Sequence, residues 1–141
     1  MKKLAFLIIA VLVANLATRA QVSNSVANYY HSAIAQMHPS LPIAVDGDTH
    51  LIDVNYYKNA NIFEYVYELQ SELPTSLLAG TFAILGQTIA DNIQKSVDGN
   101  VSFFVYAKKH NTRIRYTYFS KSGDRLKSIT YNLSDYTYNY N

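Results

Sequence analysis

The first twenty residues have the organisation of a cleavable secretory signal, and their removal decides how much chain has to fold by itself. Lys2 and Lys3 precede an apolar run from 4 to 16, and small residues follow that run. The run is shorter than the roughly 20 residues that a membrane-spanning helix needs, so a retained N-terminal anchor is the less favoured alternative. We expect residues 1–20 to be removed, the mature chain to begin at Gln21, and the protein to be periplasmic or secreted.

The mature chain, residues 21–141, contains no cysteine, although small exported domains often depend on disulfide bonds. Its stability therefore has to come from an apolar core, which about 120 residues can supply within a single domain. Signal removal also takes away three basic residues, leaving nine basic and ten acidic residues and a net charge of −1. A nearly neutral exported domain is not expected to bind nucleic acid.

The charges of the mature chain are divided between its two halves. Residues 21–98 contain eight acidic and two basic residues, whereas residues 99–141 contain seven basic and two acidic residues. Such a division can steer a charged partner towards one side of the protein. We favour the alternative that the two halves lie together and offset each other's charge.

Hydrophobic periodicity in the first two thirds of the mature chain predicts helices and strands in turn. A first helix is indicated by apolar residues at helical spacing: Val26, Tyr30, Ala33, Ile34 and Met37. Residues 49–57 and 62–69 alternate with period two, and a short extended segment precedes them at 43–45. A long helix follows Pro74, and its apolar stripe consists of Leu78, Phe82, Leu85, Ile89 and Ile93.

The last third of the chain predicts a β-hairpin. Residues 101–110 fit a short helix or a strand, and we favour the helix. Residues 113–118 and 126–133 alternate on either side of a turn, and residues 135–141 either extend the second strand or fray. The predicted domain is therefore α+β, with the order α-β-β(-β)-α-α-β-β and one antiparallel sheet crossed by the long helix, by analogy with cystatin-like or pilotin-like folds.

Two sets of residues are shared with known exported proteins. Residues 42–51 follow the pattern P-x-x-x-D-x-x-T-x-L, and the later segments Arg115-Tyr116-Thr117-Tyr118 and Ser122-Gly123-Asp124 form a Y-x-Y strand and a glycine turn. In these features the chain resembles a widespread, largely uncharacterised group of small exported bacterial proteins. The resemblance implies a final hairpin and a helix over 102–110, and it implies no catalytic residue. Group members often carry two cysteines that this chain lacks.

No motif for catalysis or metal binding is present. No two of the four histidines have the close spacing of a metal-ligand pair in the sequence: His31, His38, His50 and His110. Even His31 and His38, which are seven residues apart, would lie two helical turns or about 11 Å from each other. Residues 46–48 lack the further oxygen ligands of a calcium loop and favour a turn. Glu64 and Glu68 lie about 13 Å apart along one strand face, which favours a solvated face over a pair of catalytic carboxylates.

These features predict a non-enzymatic protein-binding domain that uses no cofactor or metal and has no catalytic residue. The expected partner is another protein of the cell envelope or exterior, such as a secretion component or a toxin that the domain neutralises. Arginine pairs with carboxylates or phosphates and tyrosine adds contact area, so we predict contacts through Arg113, Arg115, Tyr116 and Lys127. The alternative is that these residues form an ordinary solvated hairpin face.

Two other functions stay open at the level of the sequence. A small cell-envelope hydrolase would need His31, His38 or His50 to meet an acidic residue in a cleft, although the chain has no GxSxG motif and no cysteine nucleophile. A membrane-active or secretion-accessory protein would use the uncharged region within residues 73–93. Membrane contact after signal removal is the less favoured of these interpretations.

Overall fold

The structure, a computed structural model, describes residues 26–137, so the predicted signal and the last four residues lie outside the described range. The helices and strands are α1 (Val26–Met37), β1 (Ile43–Asp46), β2 (Thr49–Tyr57), β3 (Ile62–Leu69), α2 (Thr75–Asp98), α3 (Ser102–Lys109), β4 (Arg113–Phe119) and β5 (Arg125–Asn132). Single-turn 3-10 helices follow α1 and β5, at His38–Ser40 and Leu133–Asp135. The predicted α+β class is confirmed.

The five strands form one sheet in the order β1-β2-β3-β4-β5. Neighbouring strands are antiparallel except for β3 and β4, which are parallel. The prediction of a purely antiparallel sheet is therefore wrong at this pair. Helices α2 and α3 carry the chain from the end of β3 back to the level of its start, so β4 runs in the same direction as β3. Local alternation shows which side chains share a face of a strand and does not show the direction of the strand.

Helices α1, α2 and α3 pack on one face of the sheet and form a single aromatic-rich core with it. The neighbouring strands β3 and β4 contribute six side chains to this core: Phe63, Tyr65, Tyr67, Ile114, Tyr116 and Tyr118. In the parallel register Tyr65 lies beside Tyr116, and Tyr67 lies beside Tyr118 with their rings stacked 5.0 Å apart. Burial raises the pKa of the Tyr65, Tyr67 and Tyr116 hydroxyls, so these side chains stay neutral inside the core.

The long helix α2 is buried along the stripe that its sequence predicts, but only part of the helix is well covered. Phe82, Leu85, Ile89 and Ile93 are buried against the sheet. In the first half of the helix, by contrast, Ile84 is 73% exposed on the outer side. The broad apolar pattern therefore does not mean burial on all sides. Within residues 26–137, no helix combines the length and apolarity that a bilayer span requires.

Candidate functional site

The face of the sheet opposite the helices is the candidate site. No helix within residues 26–137 covers it, because the helices share the other face. A cleft of about 400 Å³ crosses this face. We call its lining the open face, which consists of Asp53, Asn55, Tyr57, Glu64, Val66, Arg115, Thr117, Phe119 and Arg125.

Glu64, in the middle of β3, organises the centre of the open face. Its side chain is only 8% exposed, because the side chains around it cover the carboxylate. The Oε2 atom accepts hydrogen bonds from Arg115 Nε at 2.7 Å and from Thr117 Oγ1 at 2.8 Å. The Oε1 atom accepts from the Tyr57 hydroxyl at 3.1 Å and from Asn55 Nδ2 at 3.3 Å. This buried carboxylate therefore has four hydrogen-bond donors.

The hydrogen bonds decide the charge state of Glu64. Burial acts to raise the pKa of the carboxyl group, but hydrogen bonds from Thr117, Arg115 and Asn55, together with the positive charge of Arg115, outweigh it and lower the pKa. Glu64 is therefore ionised at neutral pH. The sequence correctly places Glu64 and Glu68 on one strand face, but the prediction that this face is solvated is wrong for Glu64, because neighbouring side chains cover its carboxylate.

Arg115 lies beside Glu64 because of the parallel register between β3 and β4. Its guanidinium carbon is 5.0 Å from the centre of the Tyr57 ring, which is a cation–π distance. The pairing and the ring contact together restrict the orientation of the guanidinium group. The side chain remains 25% exposed, so a ligand in the cleft can reach it. Arg125 lines the same cleft and adds a second positive charge.

The four residues predicted as partner contacts do not share one surface. Arg113 and Arg115 alternate with the core side chains of β4 and lie on the side of the open face. Tyr116 lies on the opposite side and is 1% exposed, so in this fold it cannot contact a partner. Lys127 lies opposite Tyr118 in the β4–β5 register and is therefore on the helix side of the edge strand, where it is exposed.

The acidic and basic halves of the chain meet at the centre of the sheet. Strand β3 belongs to the acidic half and β4 to the basic half, and the Glu64–Arg115 ion pair joins them. This arrangement agrees with the interpretation that the halves offset each other's charge. The sequence gives no signal for the pair itself, because residues 64 and 115 are far apart in the chain and their proximity depends on the crossover through α2 and α3.

One histidine meets an acidic residue. His38 Nε2 lies 3.0 Å from Asp53 Oδ1, and the two side chains are 55% and 46% exposed. No serine or threonine hydroxyl within residues 26–137 hydrogen-bonds to His38, so the pair lacks the nucleophile that a serine hydrolase needs. No group of three or more histidine, aspartate or glutamate side chains in this range is placed to hold a metal ion.

Comparison with known proteins adds a fold relationship. The chain matches no protein-family model and no curated protein. It is similar to a solved structure from Pseudomonas aeruginosa that is described as a "putative secreted protein", with a TM-score of 0.55 and 9% sequence identity. The match covers 78% of this chain and 96% of that one. At this identity the likeness shows a shared fold alone, and the description names no activity, ligand or partner.

Proposed function

We propose that the mature chain is an exported, non-enzymatic domain that binds an acidic segment of another envelope or extracellular protein through its open face. The observation that carries the proposal is the Arg115 guanidinium, which is held by Glu64 beside the Tyr57 ring in a cleft that no described helix covers. Export is supported by the signal-like N-terminus and by the fold shared with a protein described as secreted.

The chemistry of the cleft favours a carboxylate-bearing partner. Arginine binds carboxylates through two parallel hydrogen bonds, and an arginine that is already oriented loses less entropy on binding. The cleft has two arginines and two carboxylates, but both carboxylates already have partners, since Glu64 pairs with Arg115 and Asp53 with His38. Arg125 and the nearby Arg113 are therefore the further positive charges that an acidic segment can meet on this side of the sheet. Tyr57 is 43% exposed beside Arg115, and tyrosine and arginine together are typical of the residues that dominate protein interfaces.

Replacement of Arg115 by lysine tests the open face. Arg115→Lys keeps a positive charge beside Glu64 but removes the planar guanidinium, so we expect the fold to persist and the affinity for the partner to fall about tenfold or more. The control Lys95→Gln removes an exposed charge from α2 on the far side of the sheet and should have no effect. Tagged mature variants are incubated with envelope extract, the captured protein is identified, and its purified form is titrated against each variant.

The result would support the proposal only if a purified partner binds directly and discriminates between the variants. A partner that binds the wild type and Lys95→Gln equally well but loses affinity for Arg115→Lys is the expected outcome. Equal affinity for all three variants, or the absence of any directly binding partner, would contradict the proposal. Circular dichroism of each variant confirms that a loss of binding does not come from unfolding.

A separate prediction concerns the cleavage of the signal during export. When the full chain is expressed in a bacterium, we expect the protein in the envelope or medium to begin at Gln21, because small residues precede this position as a signal peptidase requires. Intact mass and N-terminal sequencing measure this directly. Replacement of Ala20 by arginine should block the cleavage and leave a longer precursor. An intact N-terminus at Met1 in the wild-type protein would contradict the prediction.

A further inference from the structure

Strand β5 forms one border of the sheet, and no strand within residues 26–137 pairs with its outer edge. The residues that follow β5 turn away from this edge. The backbone carbonyl of Tyr136 accepts a hydrogen bond from Lys108 of α3. The backbone carbonyl of Thr137 accepts one from Gln94 of α2 at 2.7 Å. The described chain after β5 therefore continues onto the helices and does not return along the outer edge.

The register of the sheet shows which backbone groups of β5 lie on the outer edge. The amide of Arg113 donates to the carbonyl of Asn61, so Arg113 and every second residue after it in β4 direct their backbone groups towards β3. The β4 residues between them face β5, where they pair with Lys127, Ile129 and Tyr131. The other residues in this part of β5 direct their amides and carbonyls outward, and we call them the edge residues: Ser128, Thr130 and Asn132.

The side chains of β5 divide between the two faces of the sheet. Thr130 lies opposite Arg115, and Arg125 lines the cleft, so one side of β5 continues the open face. Ile129 and Tyr131 lie on the helix side, where both are partly exposed. Successive side chains of a strand point to opposite faces, so a strand added beside β5 would place one set near the arginines and the other near these two apolar side chains.

The charges of β5 favour an acidic strand over a second copy of this one. Arg125 and Lys127 are exposed, and neither side chain forms an ion pair or a hydrogen bond among residues 26–137. The strand itself contains no acidic residue, since Asp124 and Asp135 lie beyond its ends. Pairing of two copies of β5 would bring four cations to one seam without a carboxylate from either strand. Acidic residues of a different strand would offset these cations.

We propose that the acidic partner segment binds as a sixth strand along the outer edge of β5, with acidic side chains alternating with apolar ones. This inference rests on the proposed function, because it states the conformation in which the open face receives its partner. The acidic side chains lie near Arg115 and Arg125, and the apolar ones lie beside Ile129 and Tyr131. Backbone hydrogen bonds to the edge residues supply affinity, and the alternating side chains supply specificity.

The test uses mature protein labelled with nitrogen-15 and a blocked seven-residue peptide in which valine and glutamate alternate. We expect saturable binding and slower amide hydrogen exchange at Ser128, Thr130 and Asn132. Exchange at Lys127 and Ile129 should change little, because their amides already face β4. A peptide with lysine in place of glutamate has the same backbone but the wrong charge, so it should bind about tenfold more weakly or less.

Replacement of Thr130 by proline tests the backbone of the outer edge. Thr130→Pro removes one outward amide and leaves the hydrogen bonds between β4 and β5 in place, because proline is tolerated where the amide of an edge strand faces outward. We expect peptide binding to weaken about fivefold or more. Thr130→Ala keeps the amide and should bind like the wild type. The amide spectrum of each variant shows whether it is folded, and the exchange pattern of the wild type tests the sixth strand without any substitution.

The outcomes distinguish a failure of the sixth strand from a failure of the open face. Peptide binding that leaves exchange at the edge residues unchanged, or that is equal for Thr130→Pro and the wild type, would overturn the sixth strand. If Arg115→Lys weakens that same binding, the open face still binds acidic segments. Protection of the edge residues that Arg115→Lys leaves unaffected would uphold the sixth strand and contradict the role proposed for Arg115. No saturable binding, or a dimer that already protects the edge residues without peptide, would overturn the sixth strand.

Discussion

Replacement of Glu64 by glutamine should lower the free energy of unfolding at pH 7 by about 2–4 kcal/mol. Removal of one member of a buried ion pair costs about 3–5 kcal/mol, and we reduce this figure because Arg115 is one-quarter exposed and water can partly replace its partner. The substitution also removes the negative charge that accepts hydrogen bonds from Arg115 and Thr117. Urea unfolding of the two proteins measures the difference.

The same variant has a defined pH dependence. The pKa of Glu64 is lower in the folded protein than its ordinary value, so the folded state binds this proton more weakly than the unfolded state. The stabilisation by Glu64 is therefore complete above the unfolded pKa of about 4.3 and is lost as the pH falls through the lower folded pKa. The difference between wild type and Glu64→Gln should consequently shrink as the pH is lowered from 5 to about 3.

Glu68→Gln is the matched control for Glu64→Gln. Glu68 lies on the same face of β3, is only partly buried, and accepts a side-chain hydrogen bond from Gln70 at 3.0 Å. We expect its replacement to change stability by less than about 1 kcal/mol. If the two glutamine variants lose similar amounts of stability, Glu64 does not organise the open face as described.

Phe103→Ala should destabilise the protein by about 3–5 kcal/mol, which is a large share of the total stability of a small domain. Phe103 is fully buried on α3, and its ring contacts Phe63 of β3 at 5.0 Å and Tyr30 of α1 at 5.9 Å between centroids. It therefore connects three elements of a core that has no disulfide bond to support it. Replacement of the Phe103 ring by a methyl group leaves a cavity between α1, β3 and α3, and these three elements cannot all move inward to fill it.

Two further variants separate the cavity effect from a general sensitivity of the fold. Phe103→Leu keeps most of the apolar volume and should cost clearly less than alanine. Ile84→Ser changes an apolar side chain that is 73% exposed and should stay within about 0.5 kcal/mol of the wild type. Chemical unfolding of all three variants provides the measurement. A loss below 1 kcal/mol for Phe103→Ala would contradict the packing described here.

The sequence predicts features that depend on neighbours in the chain. Alternation in β4 correctly separates Ile114 and Tyr116 from Arg113 and Arg115, because successive side chains of a strand point to opposite faces. That same alternation argues against grouping Tyr116 with the arginines as partner contacts. Residues 101–110 are ambiguous because Val101, Phe103 and Val105 suit period two. The structure has a helix there, which buries Phe103 and Phe104 together, and a strand would place them on opposite faces.

The features that depend on distant neighbours could not be predicted from the sequence. Whether Glu64 meets Arg115 depends on the parallel pairing of β3 with β4, and that pairing follows from the path of two intervening helices. A shift of one residue in this register would place Glu64 beside a core side chain instead. The contribution of Tyr57 and Asn55 to the site depends in addition on the antiparallel register of β2 with β3.

Site-specific photocrosslinking in living cells tests most directly whether the open face binds a protein. Benzoylphenylalanine replaces Thr130, which is exposed and lies opposite Arg115 on β5, or Ile84, which is exposed on the outer side of α2. We predict one discrete crosslinked species from position 130, its loss when Arg115→Lys is combined with the probe, and no such species from position 84. A crosslink from position 84 without one from position 130, or a crosslink at 130 that Arg115→Lys leaves unchanged, would contradict this account.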